Sequence, residues 1–181
     1  MFIKSENISL RATEPADAAL IYRWENDISV WHVSDTLMPF SLFQIEQFIL
    51  NNTDLYSSKQ IRLMIDESKT GKTVGCIDLF DFEPFHERIG LGLVIASEHR
   101  HKGFAAEAIK LTEDYCFKTL NLNQIHCIVG ANNTASIKLF ESSGFENCGL
   151  RKAWIKTSNG FIDQLEYQKI NPDRANKTQK L

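Results

Sequence analysis

Residues 97–108 read SEHRHKGFAAEA. Arg100, His101 and Lys102 come immediately before Gly103 and a run with helical spacing, in which Ala105, Ala108, Ile109, Thr112, Cys116 and Leu120 share one stripe. Cations are the wrong sign for a helix start, because the partial positive charge there prefers Asp or Glu. The first amides of a helix have no internal partners. A phosphate placed against them would be held by free N–H groups and the dipole, and it would also give the cations a counter-charge. Gly103 lets a backbone come close and Ala105 keeps the second turn small. The stretch therefore reads as a pyrophosphate cradle. A P-loop is excluded because the lysine precedes the glycine, and the dinucleotide fingerprint because only one of its three glycines is present.

Working outward, residues 88–96 alternate as a strand that feeds this loop, with Ile89, Leu91, Leu93 and Ile95 on one face and Gly90 and Gly92 on the other. Glycines inside a strand mark close approach of a ligand or of packed structure, and both readings stand here. Residues 124–130 form the strand after the helix, so the middle of the chain is a strand–helix–strand unit. Before it, residues 60–65 and 73–80 pair across a polar turn. After it come a short helix at 133–143 and strands at 145–156 and 161–170 around Asn159-Gly160, a strong hairpin signal. Near the start, residues 7–12 read as a strand, Thr13 as an N-cap, and helices follow to about Glu25 and from Ser41. The expected fold is α+β: a mixed, mostly antiparallel twisted sheet with a central parallel pair, helices on both faces. Residues 1–170 are expected to form one domain, and 171–181 a polar, frayed tail.

The chain has 181 residues, 43% of them hydrophobic, with a net charge of −3. That balance speaks against a nucleic-acid binder driven by bulk charge. No apolar run is long enough to span a bilayer and the start lacks a signal-peptide core, so a cytoplasmic protein is expected. Cys76, Cys116, Cys127 and Cys148 show no metal-ligand spacing and read as reduced, buried thiols. No metal is expected.

The stretch R100-H-K-G103-F-A105 resembles the Arg/Gln-x-x-Gly-x-Gly/Ala motif of the GNAT superfamily of N-acetyltransferases. A second segment, N133-T-A-S136-I-K138-L-F140-E-S-S-G144-F145, is similar to that family's Asn-x-x-Ser/Ala-x-x-x-Tyr-x-x-x-Gly-Phe pattern. Details such as R11-A-T look most like the branch of RimJ/RimL-type and spermidine acetyltransferases. The resemblance implies acetyl-CoA as co-substrate and direct acetyl transfer to a primary amine, either a small molecule or a protein N-terminus. It implies that the two parallel strands splay, that Leu93, Val94 and Ile95 pair with the pantetheine arm, and that Arg100, His101, Lys102, Gly103, Phe104 and Ala105 hold the pyrophosphate. Asn133, Ser136, Lys138 and Phe140 would lie on the cofactor side.

Two positions depart from the family pattern. Phe140 stands where many members carry the tyrosine that protonates the thiolate, and Gly90 where many carry a glutamate. An inactive acyl-CoA-binding module is therefore the alternative reading. A CoA thiolate leaves tolerably without an acid, however, since an ordinary thiol has a pKa of about 8.5. Acidic residues cluster where the family's acceptor enters. Glu25, Trp31, Asp78 and Glu83 are the candidate acceptor contacts and Asp81 the best candidate base, while His32 and His126 read as structural and His86 and His99 as exposed loop residues. A homodimer through the hairpin at Asn159-Gly160 is left open.

Overall fold

The computed structural model describes residues 3–28, 31, 36–51 and 54–174. In chain order the elements are β1 (Ile3–Lys4), β2 (Ile8–Ala12), α1 (Ala18–Glu25), α2 (Leu42–Asn51), α3 (Leu55–Ser58), β3 (Ile61–Glu67), β4 (Thr73–Glu83), β5 (Arg88–Ile95), α4 (Phe104–Asp114), β6 (Gln124–Gly130), α5 (Thr134–Ser142), β7 (Glu146–Thr157) and β8 (Gly160–Ile170). They build one eight-stranded sheet in the order β1-β2-β3-β4-β5-β6-β8-β7. Every neighbouring pair is antiparallel except β5–β6. The expected α+β sheet with one central parallel pair is what the chain forms.

Side-chain alternation sends each strand's residues to two faces, and both faces are used. Leu10, Ile65, Ile77, Leu91, Ile125 and Cys127 bury against α4 in the larger core. On the opposite face Met64 and Cys76 bury against Ala18 and Ile21 of α1 and Ile45 and Ile49 of α2. Behind α4 the chain continues in a π-helical turn, Tyr115–Thr119, which returns it toward β6. Lys169 of β8 donates to the Glu113 carboxylate of α4 at 2.7 Å and to the Ser143 carbonyl at 2.6 Å, so one ammonium ties the helix, the sheet and the end of α5 together.

Several expectations need correction. Thr13 does not cap α1: its hydroxyl donates to the Arg62 carbonyl, and the Asp17 carboxylate instead accepts the Glu14 N–H. β4 runs on to Glu83 through a bulge at which Asp81 takes φ +50°, because the chain there pairs with Arg88 rather than turning away. The tail is not frayed at Asn171. That residue is buried, donates its side-chain amide to the Leu122 carbonyl, and lies three residues before Arg174, which pairs with Glu87. Cys148 is exposed, whereas Cys76, Cys116 and Cys127 are buried free thiols. His99 is half-buried, with its Nδ1 sealed off and unpartnered, rather than exposed. His32 lies outside the described residues.

Candidate active site

The parallel pair is short. Arg88, Ile89 and Gly90 pair with Gln124, Ile125 and His126, and there the pairing stops. Beyond that rung β5 keeps β4 on one edge, through Ile95 opposite Gly75, and β6 keeps β8, through Gly130 opposite Gln164. The facing edges of Leu91–Ile95 and Cys127–Gly130 have no strand between them. Backbone groups along such an edge need a partner, and a ligand carrying amides can supply it. Exposure follows the split: Ile89, Gly90 and Leu91 are buried, whereas Gly92, Leu93 and Val94 are half-buried. Ile95 is buried again at the end of the strand.

The open end of this gap leads to the cradle. After a single 3-10 turn, Ser97–His99, the backbone swings through His101 at φ +62° and Gly103 at φ +83° before α4 begins at Phe104. No side chain caps the helix. Its first backbone bond within the helix comes from the Glu107 N–H to the Gly103 carbonyl, so the amides before it point out of the helix end. A Cβ on Gly103 would meet no atom within 4 Å, so the space in front of those amides is open. Phe104 turns its ring inward to the core, with the Lys102 ammonium 6.0 Å from the ring centre, and Ala105 packs beside it. Arg100 folds back, its Nε donating to the Ile95 carbonyl at 3.1 Å. A cleft of about 260 Å³ runs from there between Leu20, Arg23 and Trp24 of α1 and Val94 and Ile95. Cationic rim, unpartnered amides and open glycine together fit a diphosphate.

On the far side of the gap, α5 starts at an N-cap formed by Asn133, whose side chain accepts the Ser136 N–H at 3.1 Å. Lys138 is exposed, and Ser136 half-buried. Phe140 is buried edge-on against Phe145, with ring centres 5.2 Å apart, so it fills the core rather than lining the gap.

The other wall to consider is the sheet face that carries α1 and α2. Here Arg62, which the sequence reading missed, organises the acids. Its guanidinium grips Asp78 with two hydrogen bonds, at 2.6 and 2.9 Å, and reaches Glu25 at 2.6 Å. The β3–β4 register, with Arg62 opposite Asp78, was the available signal. Asp78 is in turn the register partner of Gly92 at the start of the gap. Two carboxylates share one cation, so the cluster keeps net negative charge. The Trp31 indole donates to the Glu25 carbonyl and so supports this wall, whereas Glu83 lies five residues along β4 from Asp78, beyond the bulge, and pairs with Arg88 in the ladder. Asp81 is exposed on the bulge.

The glycines of β5 have a packing explanation. A Cβ on Gly90 would come within 2.4 Å of the Phe80 ring, which lies over it, while one on Gly92 would meet nothing closer than 3.7 Å. A glutamate at position 90 could not stand without displacing that ring. Burial pushes the thiols of Cys76, Cys116 and Cys127 up to about 12, so none is a thiolate at neutral pH. Among the described residues no His/Cys/Asp/Glu cluster forms a metal site, and no helix is long and apolar enough to cross a membrane.

Residues 7–146 match the acetyltransferase (GNAT) domain. This chain belongs to the GNAT acetyltransferase family. It is 31% identical to the uncharacterised N-acetyltransferase p20 of Bacillus licheniformis, over 94% of this chain and 97% of that protein. It is 28% identical to a spermidine N(1)-acetyltransferase of Vibrio cholerae, over 78% of this chain and 80% of that one. The fold superposes on the crystal structure of spermidine N-acetyltransferase from Vibrio cholerae in complex with CoA and spermine with a TM-score of 0.84, at 23% identity, covering 92% and 97% of the two chains. The GNAT chain described here is an N-acetyltransferase with acetyl-CoA as co-substrate, and the inactive-module alternative is set aside.

Proposed function

We propose that the acceptor is a small aliphatic amine that arrives as a cation, entering beside Gly92 on the face that carries α1 and α2. The observation that carries this reading is the acid wall at that point, where Asp78 and Glu25 share the single guanidinium of Arg62. An uncompensated carboxylate there attracts a positive amine. The spermidine acetyltransferases among the relatives support the same class. In this reading the arm of the co-substrate lies along Leu93, Val94 and Ile95, its diphosphate rests on the amides of His101 to Ala105 beside the Arg100 side chain, and Asn133, Ser136 and Lys138 flank it from α5. Acetyl-CoA supplies an activated acetyl thioester. Transfer is direct, because the buried thiols nearby are protonated and cannot serve as acyl carriers. Residues 1–170 act as one unit in the cytoplasm, with the segment from Asn171 to Arg174 docked on it.

The test is thiol release from acetyl-CoA with spermidine, putrescine, free amino acids and an alanyl peptide as acceptors. The polyamines are expected to give the highest kcat/KM. A peptide N-terminus preferred by about tenfold, equivalent to about 1.4 kcal/mol, would overturn the reading.

A homodimer is also proposed, through β7. This edge strand is almost wholly solvent-facing and, with the facing β8, exposes Leu150, Trp154 and Phe161. Light scattering is expected to give twice the chain mass, falling to one chain mass in a Leu150→Glu, Trp154→Glu variant. A monomeric wild type at micromolar concentration refutes it.

A further inference from the structure

Gly90 leaves the family's glutamate position without a side chain, but the rung it belongs to is not bare. Its partner on β6 is His126, in the last pair before the strands part. Ile125 and Cys127 bury in the core beneath α4, so His126 stands on the opposite, acceptor face. The Phe80 ring crosses over Gly90 and meets the imidazole edge to face, with centroids 6.1 Å apart at 86°. A side chain at position 90 would have to displace that ring, so the glycine and the placing of His126 are linked. The ring nitrogens of His126 make no hydrogen bond to a described residue, and neither is sealed off as a buried orphan.

The groups around it come from three strands. Asp81 on the β4 bulge and Glu166 on β8 favour the imidazolium; Arg88 on β5 opposes it. Gln168, the β8 register partner, is neutral. Burial is the largest influence and holds the pKa below the ordinary 6.5, so the ring is neutral at neutral pH.

We propose that His126 is the proton acceptor of the reaction, supplied from β6 in place of the side chain absent at Gly90. The arriving ammonium first gives one proton to water, which frees its lone pair; as the nitrogen bonds to the acetyl carbon, His126 takes the second proton, directly or through one water, and the departing thiolate is protonated from solvent. The electron pair of the breaking C–S bond leaves on the CoA sulfur. The inference rests on acetyl transfer to an amine and not on which amine is used.

Proton NMR titration of the free chain is expected to give His126 a pKa below 6.5, lower still in Asp81→Asn, because that carboxylate raises it. With acetyl-CoA and spermidine or an alanyl peptide, His126→Gln is expected to lower kcat by about 10²–10⁴-fold and to remove the acid limb of the pH–rate profile. Its CoA affinity, read by calorimetry, should match the wild type. A His126→Gln kcat within about threefold of wild type, with the acid limb of the pH–rate profile intact, overturns the proposal. A wild type that turns over neither amine counts against the acceptor class instead, and the kcat and pH–rate comparison of His126→Gln is then made with the acceptor that the amine panel identifies.

Discussion

Gly103→Val is expected to weaken CoA binding by about 10³-fold while the chain stays folded. The residue sits at φ +83°, where a β-branched side chain costs about 1–2 kcal/mol. No atom lies within 4 Å of its Cβ position, so the fold suffers no collision. The side chain would instead occupy the open space in front of the helix amides and turn them from the anion. Hydrogen bonds to charged groups contribute about 1.5–3 kcal/mol each, so losing two of them amounts to about 4 kcal/mol. Calorimetry with CoA reads the effect, and circular dichroism checks the fold. An affinity within about tenfold of wild type would remove the diphosphate from this loop.

Gly75→Ala is expected to be the most destabilising of the small substitutions. Gly75 pairs with Ile95, and an added Cβ would lie 2.2 Å from the Val94 carbonyl oxygen and 3.1 Å from the Ile95 Cα. These are backbone atoms, which cannot rotate away. Overpacking of this kind costs about 3 kcal/mol. For a chain of this size that lowers the melting temperature by about 6–12 °C. The strand that must shift is the end of β5 lining the gap, so CoA affinity should fall with stability. A melting temperature within about 2 °C of wild type would mean the strands are less closely packed than described.

The parts of this molecule legible in the sequence are those encoded locally. The bend before α4 was legible because cations at a helix start conflict with the dipole unless an anion is present, which marks an unusual helix entry, and Gly103 does take the left-handed conformation. The strand–helix–strand unit and the final hairpin followed from periodicity and from Asn159-Gly160. What depended on register was lost. Arg62 reads as one polar residue in an apolar strand until β3 and β4 are aligned and Asp78 falls opposite it. Gly90 reads equally as ligand clearance or packing until Phe80, ten residues earlier, is seen to cover it. His126 looks like a half-buried sheet residue until the strand facing it is known to be bare at that rung. Asn171 seemed part of a loose end because its partners, Leu122 and Asn123, are distant in the chain.

Opposite charges flank the two ends of the gap, Arg100 and Lys102 at the cradle and the Arg62-linked acids at the acceptor wall. The consequence reaches past binding to turnover. In the proposed binding mode, acetylation converts an ammonium into a neutral amide, so the reacted group no longer feels the field that drew it in, while a diphosphate on the cradle would keep its contacts. In that mode the amide would depart first and the spent nucleotide last, an order set by where the protein keeps its charges.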